Sequence, residues 1–105
     1  MNNTIKALVK KENTIGLNIE NVPMPIIHDN SVLIKVKKTG ICGTDLHIYN
    51  WDKWAKKTIK LPIVIGHEFS GVIYDKGKDV KSIQINDRVS AEGHIVCGFC
   101  RNCRA

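Results

Sequence analysis

The stretch Ser31-Val32-Leu33-Ile34-Lys35-Val36-Lys37-Lys38 is the strongest indicator of the fold class. It is rich in β-branched residues and passes from an apolar run into polar–apolar alternation, which is typical of a β-strand. Weaker patterns of the same kind lie on both sides of it, at Thr4–Lys10, Gly16–Val22, Phe69–Tyr74 and Arg88–Ala91. Several short strands separated by turn residues predict a mainly β, barrel-like domain.

Helix is predicted in one place, between Gly40 and Asn50. Thr44 or Asp45 has the side-chain oxygen that an N-cap position favours. Gly71 interrupts a predicted strand, which indicates a bulge or a close approach of two backbones. No repeat or linker divides the 105 residues, so the sequence predicts one small domain over residues 1–105.

Composition and charge disfavour two classes of partner. Thirteen lysines and three arginines outweigh ten acidic residues, for a net charge of +6. Arginine, the usual reader of phosphates and guanine edges, is scarce, so we expect a solvated lysine-rich surface and no nucleic-acid partner. No apolar run approaches the roughly 20 residues that span a bilayer, and the N-terminus lacks the apolar core of a secretory signal. We therefore expect a cytoplasmic protein without a membrane partner.

Three cysteines form a knuckle with a repeated spacing of three, at Cys97, Cys100 and Cys103. Thiolates at this spacing on a tight turn can converge on one metal ion, and Gly98 eases the turn. A single Cys-x-x-Cys pair would also fit a redox motif, whereas three cysteines in series favour metal. Structural zinc needs four ligands, so one ligand is missing.

A second candidate metal site combines Cys42 with the separate segment Gly66-His67-Glu68. A thiolate, an imidazole and a carboxylate can hold zinc and leave one coordination position open, which is the property of a catalytic zinc site. Taken singly, Cys42 is better interpreted as a small buried apolar residue and His67 as an ordinary core or surface side chain. Together with the knuckle and the flanking glycines, the metal interpretation is favoured.

These motifs, taken in order, resemble the N-terminal domain of the zinc-dependent medium-chain alcohol dehydrogenases. The resemblance runs over nearly all of the chain and implies a GroES-like, partly open β-barrel with short helices. The matching stretches are Gly40-Ile41-Cys42-Gly43-Thr44-Asp45-Leu46-His47, Gly66-His67-Glu68 followed by Gly71, Asp87-Arg88-Val89, and the knuckle of Cys97, Cys100 and Cys103.

The resemblance implies a role for each residue of the first site. Cys42 and His67 would be ligands of the catalytic zinc. Glu68 would be a third ligand, or a carboxylate that exchanges with water at the metal. Asp45 would lie behind the ligands and position His67.

The resemblance also implies a proton relay and a second zinc. Thr44 would accept the substrate proton, and the relay would pass through the cofactor ribose to His47, whose ring exchanges protons near neutral pH. Cys97, Cys100 and Cys103 would hold a structural zinc. A full-length subunit would then bind up to two zinc ions.

Within the family the chain most resembles the branch that acts on L-threonine, through residues 47–54, 57–59 and 92–103. This implies NAD-dependent oxidation of the L-threonine hydroxyl to 2-amino-3-oxobutanoate in threonine catabolism. Glu92 and His94 are candidates for lining the substrate pocket, and the family implies a homotetramer for the full-length enzyme. A polyol or another secondary alcohol is the alternative substrate.

Two departures from the family pattern set further expectations. The fourth knuckle cysteine is absent, and no Gly-x-Gly-x-x-Gly marks a nicotinamide-binding Rossmann domain. We therefore expect a domain truncated before the Rossmann domain, with its structural-zinc lobe interrupted near residues 92–105. Such a domain would be inactive alone and would expose apolar surface. Alternative interpretations are a non-functional remnant of a split gene and a small zinc module that binds nucleic acid.

Overall fold

The computed structural model describes residues 3–91, 93, 100 and 101, and this part of the chain is mainly β, as predicted. Six strands and two short helices follow one another along it. They are β1 (Thr4–Lys10), β2 (Asn18–Pro23), β3 (Val32–Gly40), α1 (Gly43–Asn50), α2 (Lys53–Thr58), β4 (Ile63–Val64), β5 (Glu68–Lys76) and β6 (Arg88–Ser90).

The described strands form two three-stranded antiparallel sheets. One has the order β2-β1-β4 and the other has the order β3-β5-β6. No strand belongs to both sheets, so the described strands do not close into a barrel. This arrangement agrees with the open, GroES-like architecture that the resemblance implied.

The longest ladder joins β3 to β5 and contains a close backbone approach at Gly71. Gly71 pairs with Val36, and the register shifts between Val36 and Lys38. A Cβ atom built on Gly71 would lie 2.2 Å from the carbonyl oxygen of Lys35, which is far inside van der Waals contact. The predicted bulge or close approach at Gly71 is therefore confirmed, and only glycine fits this position without a backbone shift.

The start of α1 differs from the prediction. Neither Thr44 nor Asp45 is its N-cap residue. Cys42 takes that place with an extended backbone, and the Asp45 carboxylate accepts a hydrogen bond back from the Cys42 N–H at 3.0 Å. A carboxylate in the first helical turn also interacts favourably with the positive end of the helix dipole.

A second helix, which was not predicted, follows α1 after a sharp turn. Trp51 ends α1 in the left-handed region, with φ of 52°. Asp52 then caps α2, because its Oδ1 accepts a hydrogen bond from the Ala55 N–H at 3.0 Å. This cap orders a helix of only six residues directly after the first one.

The described core is small and lies beside a buried lysine. Its buried apolar residues are Val9, Ile48, Trp51, Ala55 and Ile73.

Lys10 lies beside this core with 1% of its surface exposed. Its Nζ donates hydrogen bonds to the carbonyl oxygens of Thr14, of Gly16 at 2.8 Å and of Tyr49 at 3.1 Å, and it lies 5.4 Å from the centroid of the Trp51 ring. Three carbonyl acceptors and an aromatic face compensate for the lost hydration of the ammonium group. Lys10 thereby links the end of β1 to the last turn of α1.

Much apolar surface remains exposed in the described residues, as the sequence predicted. Leu8 and Ile19 lie opposite each other on β1 and β2 and are 48% and 73% exposed, and Ile26 and Ile41 are 84% and 80% exposed. Exposed apolar surface of this kind normally faces another part of the protein or a partner. The described helices, α1 and α2, have eight and six residues, and neither could span a bilayer.

Candidate functional site

Three side chains from two separate segments converge at one place. The Cys42 Sγ, one ring nitrogen of His67 and one carboxylate oxygen of Glu68 all lie within 4.8 Å of one another. Cys42 precedes α1, whereas His67 directly precedes β5 and Glu68 is the first residue of that strand. The structure therefore brings together the three residues that the sequence analysis named as catalytic zinc ligands.

The pairing of β3 with β5 explains why these segments meet. Gly40, the last residue of β3, pairs with Glu68, the first residue of β5, so Cys42 and His67 both lie just beyond the same end of the ladder. A Cβ atom on Gly40 would lie 2.9 Å from Glu68 Oε1, and Gly66 has φ of +107° immediately before His67. Glycine thus leaves room for the carboxylate at one position and permits the required turn at the other.

Asp45 lies behind the three donors and is 8% exposed. Its Oδ2 accepts the hydrogen bond from the Cys42 N–H, and its Oδ1 lies 3.8 Å from His67 Nδ1. In the described part of the chain, Asp45 Oδ1 is the one buried side-chain oxygen without a hydrogen-bond partner. A buried acceptor without a donor is costly, and the nearby imidazole N–H is the natural donor for it.

The donor set fits a zinc ion. Tetrahedral zinc has bonds of about 2.0–2.3 Å to N, O and S, so its ligand atoms lie about 3.5 Å apart. The three donor atoms are within 4.8 Å of one another, so movements of about an ångström would bring them to that spacing. Ligating histidines commonly donate their second ring N–H to a carboxylate, and Asp45 Oδ1 is placed to accept it.

The two predicted relay residues lie on α1. Thr44 is half-buried, and its Oγ1 lies 3.8 Å from Cys42 Sγ, beside the candidate metal ligands. His47 lies three residues later, on the same side of the helix, and 57% of its side chain is exposed. Thr44 is therefore at the donor cluster, and His47 is on the solvent side of the helix.

His47 has two neighbours that the sequence analysis did not identify. Its Nδ1 forms a hydrogen bond with Asp52 Oδ2, and its ring centroid lies 5.8 Å from that of Trp54 with the planes inclined by 54°. The hydrogen bond from the Ala55 N–H, and next the hydrogen bond with His47, lower the pKa of Asp52 below its usual value of 3.8. Asp52 is therefore ionised at neutral pH.

Most of the knuckle and both pocket candidates fall outside the described residues. These are Cys97, Cys103, Glu92 and His94. Cys100 is described and exposed. The structural zinc site and the two pocket residues therefore remain predictions.

An open cavity of about 750 Å³ lies elsewhere on the described structure. It is lined mainly by residues of β5 and β6, including Gly71, Arg88 and Ser90, and none of the three metal donors lines it. Size alone does not identify this cavity as the functional site. The chemistry of the donor cluster is more specific, because three different metal-ligating groups and an unpaired buried carboxylate oxygen meet there.

Comparison with known sequences gives one consistent result. The alcohol dehydrogenase GroES-like domain family matches residues 28–105. L-threonine 3-dehydrogenase of Rhizobium etli is 60% identical over all 105 residues, and the corresponding enzyme of Mesorhizobium japonicum is 58% identical over the same residues. The chain spans 30% of the length of these curated relatives.

Comparison with solved structures agrees. The alcohol dehydrogenase of the archaeon Aeropyrum pernix aligns with a TM-score of 0.80 at 30% identity, over 95% of this chain and 29% of that one. The alcohol dehydrogenase TADH of Thermus sp. ATN1 aligns with a TM-score of 0.73 at 34% identity, over 95% of this chain and 28% of that one. The chain thus belongs to the zinc-dependent alcohol dehydrogenase family, of which it carries the GroES-like domain.

Proposed function

We propose that the chain is the zinc-binding catalytic part of an NAD-dependent L-threonine 3-dehydrogenase. The observation that carries this proposal is the convergence of Cys42, His67 and Glu68 in front of the unpaired Oδ1 of Asp45. The substrate is inferred from the 60% identity to an L-threonine 3-dehydrogenase over the whole chain. The product would be 2-amino-3-oxobutanoate, formed by loss of a hydride and a proton from the β-carbinol group.

Cys42, His67 and Glu68 would hold the catalytic zinc. Zinc in such a site lowers the pKa of a substrate hydroxyl, and NAD supplies the hydride acceptor. Asp45 would accept the His67 Nδ1–H, which leaves Nε2 with its lone pair toward the metal. The same carboxylate holds the Cys42 N–H, so one buried side chain orients two of the three ligands.

Thr44 and His47 would move the substrate proton. Thr44 Oγ1 lies beside the donor cluster, where it can accept the hydroxyl proton of the substrate and give up its own. His47 is exposed, so its ring can release a proton to solvent. The proton would thus pass from half-buried Thr44 to exposed His47 on the same short helix.

Further features are proposed for the complete enzyme. Cys97, Cys100 and Cys103 would hold a structural zinc, and Glu92 and His94 would line the substrate pocket. A nicotinamide-binding domain would bind NAD, and without it we expect no turnover. The enzyme would act in the cytoplasm as a homotetramer on a small alcohol, without a nucleic-acid or membrane partner.

A chimeric enzyme tests the proposal directly. The matching 105 residues of the Rhizobium etli enzyme, 30% of its length, are replaced by this chain. We expect bound zinc and NADH formation from L-threonine, and Cys42→Ala should remove both the activity and one zinc equivalent. Asp29→Asn, a change on an exposed side chain paired with Lys78, is the matched control and should remain active.

Three outcomes distinguish the alternatives. A folded, zinc-loaded chimera that oxidises sugar alcohols but not L-threonine would assign the polyol alternative. A folded chimera that binds no zinc at Cys42 would refute the proposed metal site. A chimera that binds zinc and oxidises neither substrate class would refute the dehydrogenase assignment of this chain.

A further inference from the structure

The second helix begins with a carboxylate that has two different partners. Asp52 Oδ1 accepts the Ala55 N–H at 3.0 Å and caps α2, while Oδ2 is hydrogen-bonded to His47 Nδ1. The backbone of the same residue donates from its N–H to the carbonyl oxygen of His47 at 3.3 Å. His47 and Asp52 are thus connected through both their backbones and their side chains.

This connection determines which ring nitrogen of His47 is basic. An ionised carboxylate only accepts hydrogen bonds, so the nitrogen that faces Asp52 must be the protonated one. The pKa of Asp52 is lowered by its bonds with the Ala55 N–H and with His47, which keeps the carboxylate ionised over the pH range in which imidazole is neutral. The proton of neutral His47 therefore lies on Nδ1, and the lone pair lies on Nε2.

We propose that Asp52 is a positioning residue for proton transfer, which holds the His47 ring in the Nδ1-protonated tautomer with Nε2 free to accept a proton. The Trp54 ring, 5.8 Å away and inclined by 54°, limits rotation of the imidazole on a second side. Only the role of this tautomer in proton transfer rests on the proposed function. The tautomer itself is a property of this chain without metal, cofactor or substrate.

The competing explanation is that Asp52 is only a helix cap, and two variants separate the roles. Asparagine and serine are both good N-caps, so Asp52→Asn and Asp52→Ser should each retain the bond from the Ala55 N–H. With the asparagine oxygen on Ala55, its NH₂ group would face His47 Nδ1 and donate to it, which reverses the tautomer. Serine is too short to reach the ring, so the tautomer should relax toward that of free imidazole.

The test reads the tautomer by ¹⁵N NMR of histidine-labelled protein, at a pH where imidazole is neutral. The chain has four histidines, and loss of one signal set in His47→Gln assigns the ring. We expect Nδ1-protonated His47 in the unsubstituted chain, an Nε2-protonated majority in Asp52→Asn, and no change in Asp29→Asn, which removes an equal charge from an exposed site. If the chain alone gives a poorly dispersed spectrum, the same labelled ring is measured in the chimera by solid-state NMR.

Activity provides an independent readout in the complete enzyme. Proton transfer by a positioned side chain typically contributes about 10²–10⁴-fold to the rate. Because Asp52→Asn changes the tautomer of His47 but keeps the ring, it should remove part of this contribution and lower kcat by about 10- to 100-fold, with little change in KM for L-threonine. Nε2-protonated His47 in the unsubstituted chain, or the same tautomer in it and in Asp52→Asn, would overturn the proposal. Failure of the zinc or substrate assignment would leave the NMR result unchanged, so the two proposals fail separately.

Discussion

Asp45 Oδ1 lies 3.8 Å from His67 Nδ1, and in the described part of the chain no hydrogen bond reaches this buried oxygen. The other oxygen of the same carboxylate holds the Cys42 N–H. Asp45 is therefore hydrogen-bonded to the backbone of one candidate metal ligand and adjacent to the ring of another. A hydrogen bond to its unpaired oxygen requires that His67 carries its proton on Nδ1 and moves closer, and this tautomer presents Nε2 to a metal.

Removing the charge of Asp45 should weaken metal binding. Outer carboxylates that orient ligand histidines typically contribute 10- to 100-fold in metal affinity, so Asp45→Asn should raise the Kd for zinc by about that factor. Competition with a chromophoric chelator measures this, in a background where the three knuckle cysteines are serines. Asp75→Asn is the control. Equal zinc affinity in Asp45→Asn and the parent would show that Asp45 does not support the site.

Gly71 should tolerate no side chain. Alanine there would place its Cβ 2.2 Å from Lys35 O, and overpacking of this kind costs about 1–3 kcal/mol or more. We expect Gly71→Ala to lower the free energy of unfolding by about 3 kcal/mol in urea titrations of the zinc-loaded protein. Gly43→Ala, whose Cβ would meet nothing within 4 Å at the start of α1, should be neutral or slightly stabilising. Equal effects of the two substitutions would contradict the close approach.

Replacing Lys10 with methionine should destabilise the protein although the change is from polar to apolar. Methionine fills similar space but leaves the carbonyl oxygens of Thr14, Gly16 and Tyr49 without their donor. Hydrogen bonds from charged groups contribute about 1.5–3 kcal/mol each, so a loss of about 3 kcal/mol is expected in the same unfolding titrations.

The adjacent Lys11 provides the comparison for Lys10. Lys11 is exposed and pairs with Glu20 at 3.0 Å on the surface. Lys11→Met should therefore change the unfolding midpoint little. If Lys10→Met unfolds at the same urea concentration as Lys11→Met, the buried ammonium does not link β1 to α1.

The stabilising contribution of Asp52 should disappear in acid. The bond from Ala55 and then the bond with His47 lower its pKa in the folded state below 3.8, so folding favours the ionised form. The contribution is fully present above about pH 3.8, the unfolded value, and is lost as pH falls through the lower folded value. The stability difference between the parent and Asp52→Ala should therefore shrink as pH is lowered from 6 to about 3. A constant difference across this range would argue against an ionised cap.

Sequence patterns located most of the strands but not the second helix. β1 has the predicted bounds, and β2, β3, β5 and β6 agree to within two residues at every end. The alternation of apolar and polar residues in these strands is a local pattern, so it can be recognised from the sequence without knowledge of the tertiary contacts. α2 has six residues and β4 only two, which is too short for a periodic pattern, and β4 exists because β1 offers a partner.

The candidate metal ligands and Asp45 could be named from the sequence, whereas the partner of His47 and the burial of Lys10 could not. Cys42, His67 and Glu68 could be named because their residue types and flanking glycines limit the chemistry. The hydrogen bond between His47 and Asp52 could not be predicted from their separation in sequence, because it depends on the turn at Trp51 between the two helices. Lys10 ends an alternating strand, and its sequence context predicts an exposed side chain. Its burial depends on Tyr49, 39 residues away.

The pairing of Gly40 with Glu68 also has a consequence for folding. A slip of one residue between β3 and β5 would turn Glu68 to the opposite face of the sheet and separate its carboxylate from Cys42. An ion that requires both side chains would then bind only to correctly aligned molecules. Zinc would therefore favour the correct strand alignment during refolding, because its binding free energy would stabilise only the correctly aligned molecules.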